Sequence, residues 1–121
     1  MEKARTIEDT EYSLKKGLDI QREMYKQARH LKNLSVMCSC IENIKGEIKG
    51  KAMQKAVQNK DDIEFIEKVI DWYRSIKQRY TKKSPHGHIV KLPININDVA
   101  MRNLHLAYER LVNILENLEL I

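Results

Sequence analysis

The sequence predicts an all-α protein, an antiparallel bundle of three to four helices. Glycine and proline are scarce, with 4 and 2 residues in a chain of 121, which disfavours a fold of short strands and turns. Lysine, glutamate, isoleucine and leucine are abundant, a composition typical of long helices. Apolar residues recur at spacings of three and four along three segments, as on the buried face of a helix. A chain of this length suits a single domain, residues 1–121.

The first helical segment begins near Thr6, which forms a capping pattern with Asp9. Its apolar stripe runs from Leu14 as far as Val57. One helix of that length would exceed the usual range for a globular protein. We therefore expect a break, first at Gly46 and Gly50 and second at residues 33–35.

The second segment is predicted to start with a cap at Asn59 or Asp61. Acidic residues load its first half and basic residues its last turns, which complements the helix dipole. Because the residue before a proline disfavours helical backbone, this helix must end before Pro85. Trp72 lies off the centre of its apolar stripe and marks a candidate second contact surface.

An extended strap is predicted at about residues 88–96, where apolar and polar residues alternate. Pro93 excludes it from the centre of a sheet. We expect it to pack across the bundle, and an edge strand pairing with a second copy is the alternative. The last helix then begins at Asn95 or Asn97 and runs nearly to the end of the chain.

The cysteines, Cys38 and Cys40, lie one residue apart. A disulfide between such near neighbours would strain the backbone, and on a helix their side chains point ~200° apart, which suits no shared metal. We expect two buried, reduced thiols, as in a cytosolic protein. The N-terminal segment lacks the apolar core of a signal peptide, and no run of ~18 apolar residues could cross a bilayer. We therefore expect a cytoplasmic protein with no membrane partner.

Positive charge is concentrated in two blocks. Residues 74–91 contain six lysines and arginines and no acidic residue, and residues 45–60 contain five lysines against Glu47. Because the whole chain carries only +5, the remainder is net acidic. The candidate nucleic-acid-binding residues come from these blocks: Lys45, Lys49, Lys51, Lys55, Arg74, Lys77, Arg79, Lys82, Lys83, His86, His88 and Lys91.

Clustered cations suit phosphate contacts and counterion release. We therefore expect binding of nucleic acid or another polyanion, largely without sequence specificity, in a nucleoprotein-assembly subunit. The structural alternative is dipole compensation with a solvated lysine face. The functional alternative is a helical adaptor or oligomeric regulator, with a second copy or another protein as partner. Its contacts would be Trp72, residues 90–96 and the apolar C-terminus.

Arg79 and His86, with six residues between them, are similar to the R-x(4–6)-H pattern of HEPN-type ribonucleases, which are also all-α bundles. The resemblance implies that the arginine and histidine act on the scissile phosphate and the ribose hydroxyl. It covers two residues of 121. Tyr80 stands where the family has a polar residue, and Pro85 interrupts the helix that normally carries the motif. An HEPN-like ribonuclease is therefore a second functional alternative.

No other motif indicates catalysis or a cofactor. Gly46 and Gly50 lack the strand-loop-helix context of a phosphate-binding loop, and no serine lies in a nucleophile-elbow motif. His86 and His88 have no acidic residue within eight positions on either side to complete a metal site. We expect binding rather than enzymatic activity, with no catalytic residue, metal or cofactor.

Overall fold

Four helices make up the computed structural model, which describes residues 7–54, 56–83 and 92–121, with side chains for 13–49, 59–80 and 92–121. They are α1 (Ile7–His30), α2 (Leu34–Gln54), α3 (Ala56–Lys83) and α4 (Ile94–Asn117). These residues include no strand. The predicted all-α class is confirmed. None of the described helices is both long and apolar enough to span a membrane.

The helices alternate in direction, so that each runs antiparallel to the next. The side chains of Gln21 and Asn43 join α1 to α2, with Nδ2 and Oε1 3.4 Å apart. Arg110 joins α4 to α3, since its guanidinium lies 3.3 Å from Asp62 Oδ1 and 4.5 Å above the ring of Phe65. Helix α2 packs against all three other helices, whereas α1 packs chiefly on α2. A groove is therefore left between α1 and α4.

The core consists of the periodic apolar residues of all four helices. Its largest fully buried side chains belong to Leu18, Tyr25, Met37, Ile41, Ile44, Ile48, Ile66, Leu104, Leu111, Ile114 and Leu115. At the end of the bundle where α3 begins and α4 ends, buried Asn59 accepts a hydrogen bond from Asn117 Nδ2 at 3.4 Å. Because buried polar groups cost free energy unless they are bonded, this pair fixes the register of α3 against α4.

The turn between α1 and α2 is a Schellman motif without glycine. Asn33 N–H donates to Ala28 C=O at 2.8 Å and Lys32 N–H to Arg29 C=O at 3.1 Å. Lys32 takes the left-handed conformation, with φ 56°. Asn33 then caps α2, because its Oδ1 accepts the N–H of Val36 at 3.2 Å.

The predicted break at Gly46 and Gly50 is wrong, and the break at residues 33–35 is the observed one. Both glycines lie within α2. Gly46 has no neighbouring atom within 4 Å of the position that a Cβ would take, so its lack of a side chain leaves no gap in the packing. A glycine in an exposed helix costs only about 1 kcal/mol, which the burial of Ile44 and Ile48 offsets.

The ends of α3 and α4 differ in detail from the prediction. Helix α3 begins at Ala56, before the predicted caps, and Asn59 is buried rather than capping. It ends at Lys83, ahead of Pro85 as predicted. Helix α4 begins at Ile94, so residues 94–96 of the predicted strap are helical. Pro93 favours this early start because its fixed φ and missing N–H suit a helix N-terminus.

Other predictions about the chain ends are only partly visible. Thr6 and residues 88–91 of the strap lie outside the described residues.

The two cysteines are buried and form no disulfide, as predicted. Burial, with a smaller contribution from Glu42, raises the pKa of the Cys38 thiol to about 12. Cys38 is therefore a packed side chain rather than a reactive thiolate.

Replacing the left-handed residues by glycine should stabilise the protein. Glu119 has φ 58° at the end of α4, in the same hydrogen-bonded motif as Lys32. Glycine adopts this backbone without a Cβ clash, so Glu119→Gly should raise the free energy of unfolding by roughly 1 kcal/mol. Lys32→Gly should raise it by less, because it also removes a cation that favours the C-terminus of α1. Urea denaturation measures both, and a loss of stability in Glu119→Gly would contradict the backbone argument.

Candidate nucleic-acid interface

Two lysines of the 45–60 block, Lys45 and Lys49, are paired with an acidic residue, whereas Lys60 is exposed. Lys45 Nζ and Lys49 Nζ lie 3.5 and 3.6 Å from the same carboxylate oxygen, Glu67 Oε2. Such partly exposed pairs add little to stability, but a phosphate approaching these lysines would have to compete with Glu67. The side chains of Lys51 and Lys55 lie outside the described residues.

The two predicted blocks do meet, at Arg74 and Lys45. Both line a cleft of about 180 Å³ between α2 and α3, together with Glu42, Glu67 and Asp71. Arg74 forms a salt bridge with Glu42. The cleft therefore contains more carboxylates than cations, and the shared face of the two blocks is not a cationic surface.

The remaining described cations of the 74–91 block face a different environment. Lys77 Nζ lies 3.2 Å from Ser35 Oγ, which is 3.3 Å from the hydroxyl of Tyr73. These contacts place the C-terminal half of α3 beside the start of α2. They border a cavity of about 440 Å³ at the end of the bundle, which Lys32 and Asn97 also line.

This end of the bundle combines two segments without acidic residues. One is 72–97, and the other is 24–41, which contributes Lys26, Arg29, His30 and Lys32. We define the basic end by five residues: Arg29, His30 and Lys32 at the α1–α2 turn, Lys77, which contacts Ser35 of α2, and Arg79, which is exposed two residues further along α3. Sequence analysis missed the 24–41 part because its three cations are too widely spaced to form a block. The absence of acids was the available signal.

The cations of the basic end are largely available to a ligand. Arg29, Lys32 and Arg79 are exposed, and within the part of the chain that the structure describes they form no salt bridge. Two helices begin and two end here, so the helix dipoles largely cancel. The electrostatic potential is therefore set by the side chains. Asp98, near the start of α4, is the nearest acid along the chain after 72–97.

Lys32 occupies this end in a strained conformation. A non-glycine residue in the left-handed region costs roughly 1 kcal/mol, and strain of this kind is concentrated at functional positions. Glycine at the same position would satisfy the turn. The lysine adds one thing that glycine lacks, which is a positive charge at the centre of the basic end.

A pocket of about 590 Å³ lies beside the basic end, between α1 and α4. We call it the α1–α4 pocket; its lining residues are Tyr25, Lys26, Arg29, His30, Met101, His105 and Tyr108. The rings of Tyr25 and Tyr108 are stacked, with centroids 3.6 Å apart and planes 6° apart. A neighbouring depression of about 380 Å³ shares Arg29, Met101 and His105 with the pocket.

Each ring nitrogen of His105 contacts a polar side chain. Its Nδ1 lies 2.9 Å from the hydroxyl of Tyr25, and its Nε2 lies 3.4 Å from Glu109 Oε1. Burial raises the pKa of Tyr25 above its ordinary value, so the phenol keeps its proton and can donate it to Nδ1. Desolvation, with a smaller contribution from Arg29, lowers the pKa of His105 despite the opposing effect of Glu109. These contacts favour a neutral imidazole with its proton on Nε2.

The residues of the alternative hypotheses lie elsewhere. Arg79 is exposed on α3 and His86 lies outside the described residues, as do His88 and Lys91. In the described ranges, no three histidine, cysteine, aspartate or glutamate side chains are grouped as metal ligands. The chain matches no family model, no curated protein and no solved structure.

The surface expected for an adaptor is covered in part by the fold itself. Trp72 and Leu118 pack against the core, and Leu120 is 5% exposed. Among the described large apolar residues, Ile94 of the 90–96 segment is the most exposed at 82% and Leu31 follows at 74%, while Ile121 at the C-terminus is 43% exposed. Leu31 directly follows the end of α1, and Ile94 is the first residue of α4.

The stability of the protein should decrease as the pH falls below about 6.5. The folded state lowers the pKa of His105 from its ordinary 6.5, so the unfolded state takes up the proton first and is favoured on acidification. His105→Gln should reduce the loss in unfolding free energy between pH 7.5 and 5.5. Chemical denaturation at both pH values measures it, with His30→Gln as the control. An unchanged pH dependence in His105→Gln would contradict this assignment.

Proposed function

We propose that the protein binds nucleic acid through the basic end, by contacts to phosphates rather than to base edges. One observation carries the proposal: the acid-free segments 24–41 and 72–97 meet at one end of the bundle, where they line one cavity and Lys77 contacts Ser35. The described acids that line a depression beside Arg29 are Asp98 and Glu109 of α4. Within the described residues, Arg29, Lys32 and Arg79 are exposed and form no salt bridge, so a phosphate backbone can bind them with release of its counterions.

The composition of the basic end supports phosphate contacts in particular. Arg29 and Arg79 provide planar guanidinium donors that suit phosphate oxygens. Hydroxyl and amide groups of Ser35, Tyr73 and Asn97 line the adjoining cavity, and such groups commonly position a backbone. Binding through these groups reads no sequence, which agrees with the prediction of largely non-specific binding.

Two sets of the predicted residues differ from the basic end in what they are expected to contribute to binding. Lys45, Lys49 and Arg74 contribute less, because their carboxylate partners compete with phosphate. Lys82, Lys83, His86, His88 and Lys91 extend the acid-free segment beyond the described side chains and remain candidates on the sequence alone. The homo-oligomer, the protein partner and the cytoplasmic location likewise remain predictions.

The affinity for nucleic acid should decrease with salt in proportion to the phosphates contacted. Five basic groups predict a slope of log K against log [salt] of roughly −3 to −5. Arg29→Ala and Arg79→Ala should each reduce the slope by roughly 1. Fluorescence anisotropy with a labelled random-sequence strand, repeated at several salt concentrations, measures it.

The matched control for that experiment is Lys45→Ala with Lys49→Ala, which removes two cations that are paired with Glu67. It should change the slope by much less than the two arginine substitutions. If the two lysine substitutions reduced the slope of log K against log [salt] as much as the two arginine substitutions, the interface would not be the basic end. An affinity independent of salt would contradict nucleic-acid binding by these residues.

Lys32→Gly should separate binding from folding. It removes a charge from the basic end without destabilising the turn, so affinity should fall several-fold while unfolding free energy is maintained. Glu119→Gly makes the same backbone change at the end of α4. It should not weaken binding. Titration of both variants, with their stability measured beside it, tests the proposal, and unchanged affinity in Lys32→Gly would count against Lys32 as a phosphate contact.

A further inference from the structure

The α1–α4 pocket differs in chemistry from the basic end beside it. Its α1 wall carries Lys26, Arg29 and His30, and its α4 wall carries Met101, His105 and Tyr108. Lys26 is paired with Glu23, so Arg29 is the cation of the α1 wall without a salt bridge among the described residues, and the α4 wall is apolar and aromatic. A ligand that matches both walls has an anionic group joined to a flat, largely apolar ring.

We propose that this pocket holds one unpaired nucleobase of the nucleic acid bound at the basic end, so that the protein prefers single strands to duplexes. This inference rests on the proposed function. The volume of about 590 Å³ lies within the range of pockets that hold small ligands, and it is open at the groove between α1 and α4. A base that is paired and stacked within a duplex could not enter it without leaving the helix.

The pocket offers surfaces that a base can contact. The side chain of His105 is 28% exposed, and Met101 is half-buried at the pocket wall. Tyr25 and Tyr108 are stacked on each other behind them and hold His105 in place through the Tyr25 hydroxyl. An imidazole ring and a thioether both pack favourably against aromatic rings. A neutral imidazole stacks on a base without needing a counter-charge.

Continuity with the basic end is the reason to assign a nucleotide rather than an unrelated aromatic ligand. Arg29 and His30 belong to the basic end and also line the pocket. A strand with a phosphate on Arg29 therefore has a base beside the pocket that Arg29 and His105 both line. Single-strand-binding proteins combine the same two features, a cationic track and aromatic stacking positions.

The test compares three ligands of equal length, about twelve nucleotides, a length within the usual site size: a single strand, the same strand with abasic sites, and the duplex. All three carry phosphates, but only the first offers unpaired bases. The base-bearing strand should bind roughly tenfold more tightly than the abasic strand, which corresponds to one stacked base. Equal binding of the base-bearing and abasic strands would overturn the inference while leaving phosphate binding in place.

Variants of the pocket locate the effect. Met101→Ala removes a wall residue without removing a hydrogen bond, and His105→Gln removes the exposed ring. Either should bring the ratio of the two affinities close to one without weakening binding to the abasic strand. Val99→Ala, an exposed apolar position on the same helix, should leave the ratio unchanged. If His105→Gln does not fold, Met101→Ala decides, and a retained tenfold ratio in Met101→Ala overturns the pocket assignment.

The outcomes also separate this inference from the proposal beneath it. Absence of salt-dependent binding to any of the three ligands would overturn both. Binding to all three with equal affinity would overturn only the base-binding pocket.

Discussion

The reversal of the chain at Lys32 and Asn33 determines where every functional residue lies. Asn33 donates its N–H to Ala28 and uses its side chain to begin α2, so one residue both closes α1 and opens the next helix. The tight turn folds the acid-free segment 24–41 back on itself and sets Ser35 against the C-terminal half of α3, where Tyr73 and Lys77 lie. Without this turn at this position, the cations of α1 would be far from those of α3.

The distribution of acids along the bundle decides which cations can bind a ligand. The carboxylates of Glu42, Glu67 and Asp71 lie along the α2–α3 side and neutralise the lysines and arginine there. The turn end has no such carboxylates in its two segments. Basic residues are therefore neutralised on the α2–α3 side and keep their charge at the turn end. The concentration of charge is a property of the fold, since it depends on which helix faces meet.

The sequence predicted the helices well and the interface only in part. Periodicity identified the core, and Pro85 correctly limited α3. The α1–α2 turn could not be ranked first, because its left-handed residue is lysine rather than the glycine that usually marks such turns. The pairing of Lys45 and Lys49 with Glu67, 18 or more residues away, depends on helix packing, which no local pattern contains. The same holds for the approach of Tyr25 to His105, 80 residues apart.

The central position of α2 explains why a pocket lies beside the basic end. Because α2 contacts all three other helices, α1 and α4 are held on it separately, and Tyr25 of α1 contacts Tyr108 and His105 of α4. The stacked tyrosines close the floor, and the hydroxyl of Tyr25 fixes the histidine above them. A wider gap would expose these rings to water, and closer packing of α1 on α4 would fill the pocket. The arrangement that stabilises the bundle through α2 thus also leaves a defined space between a cationic wall and an aromatic one.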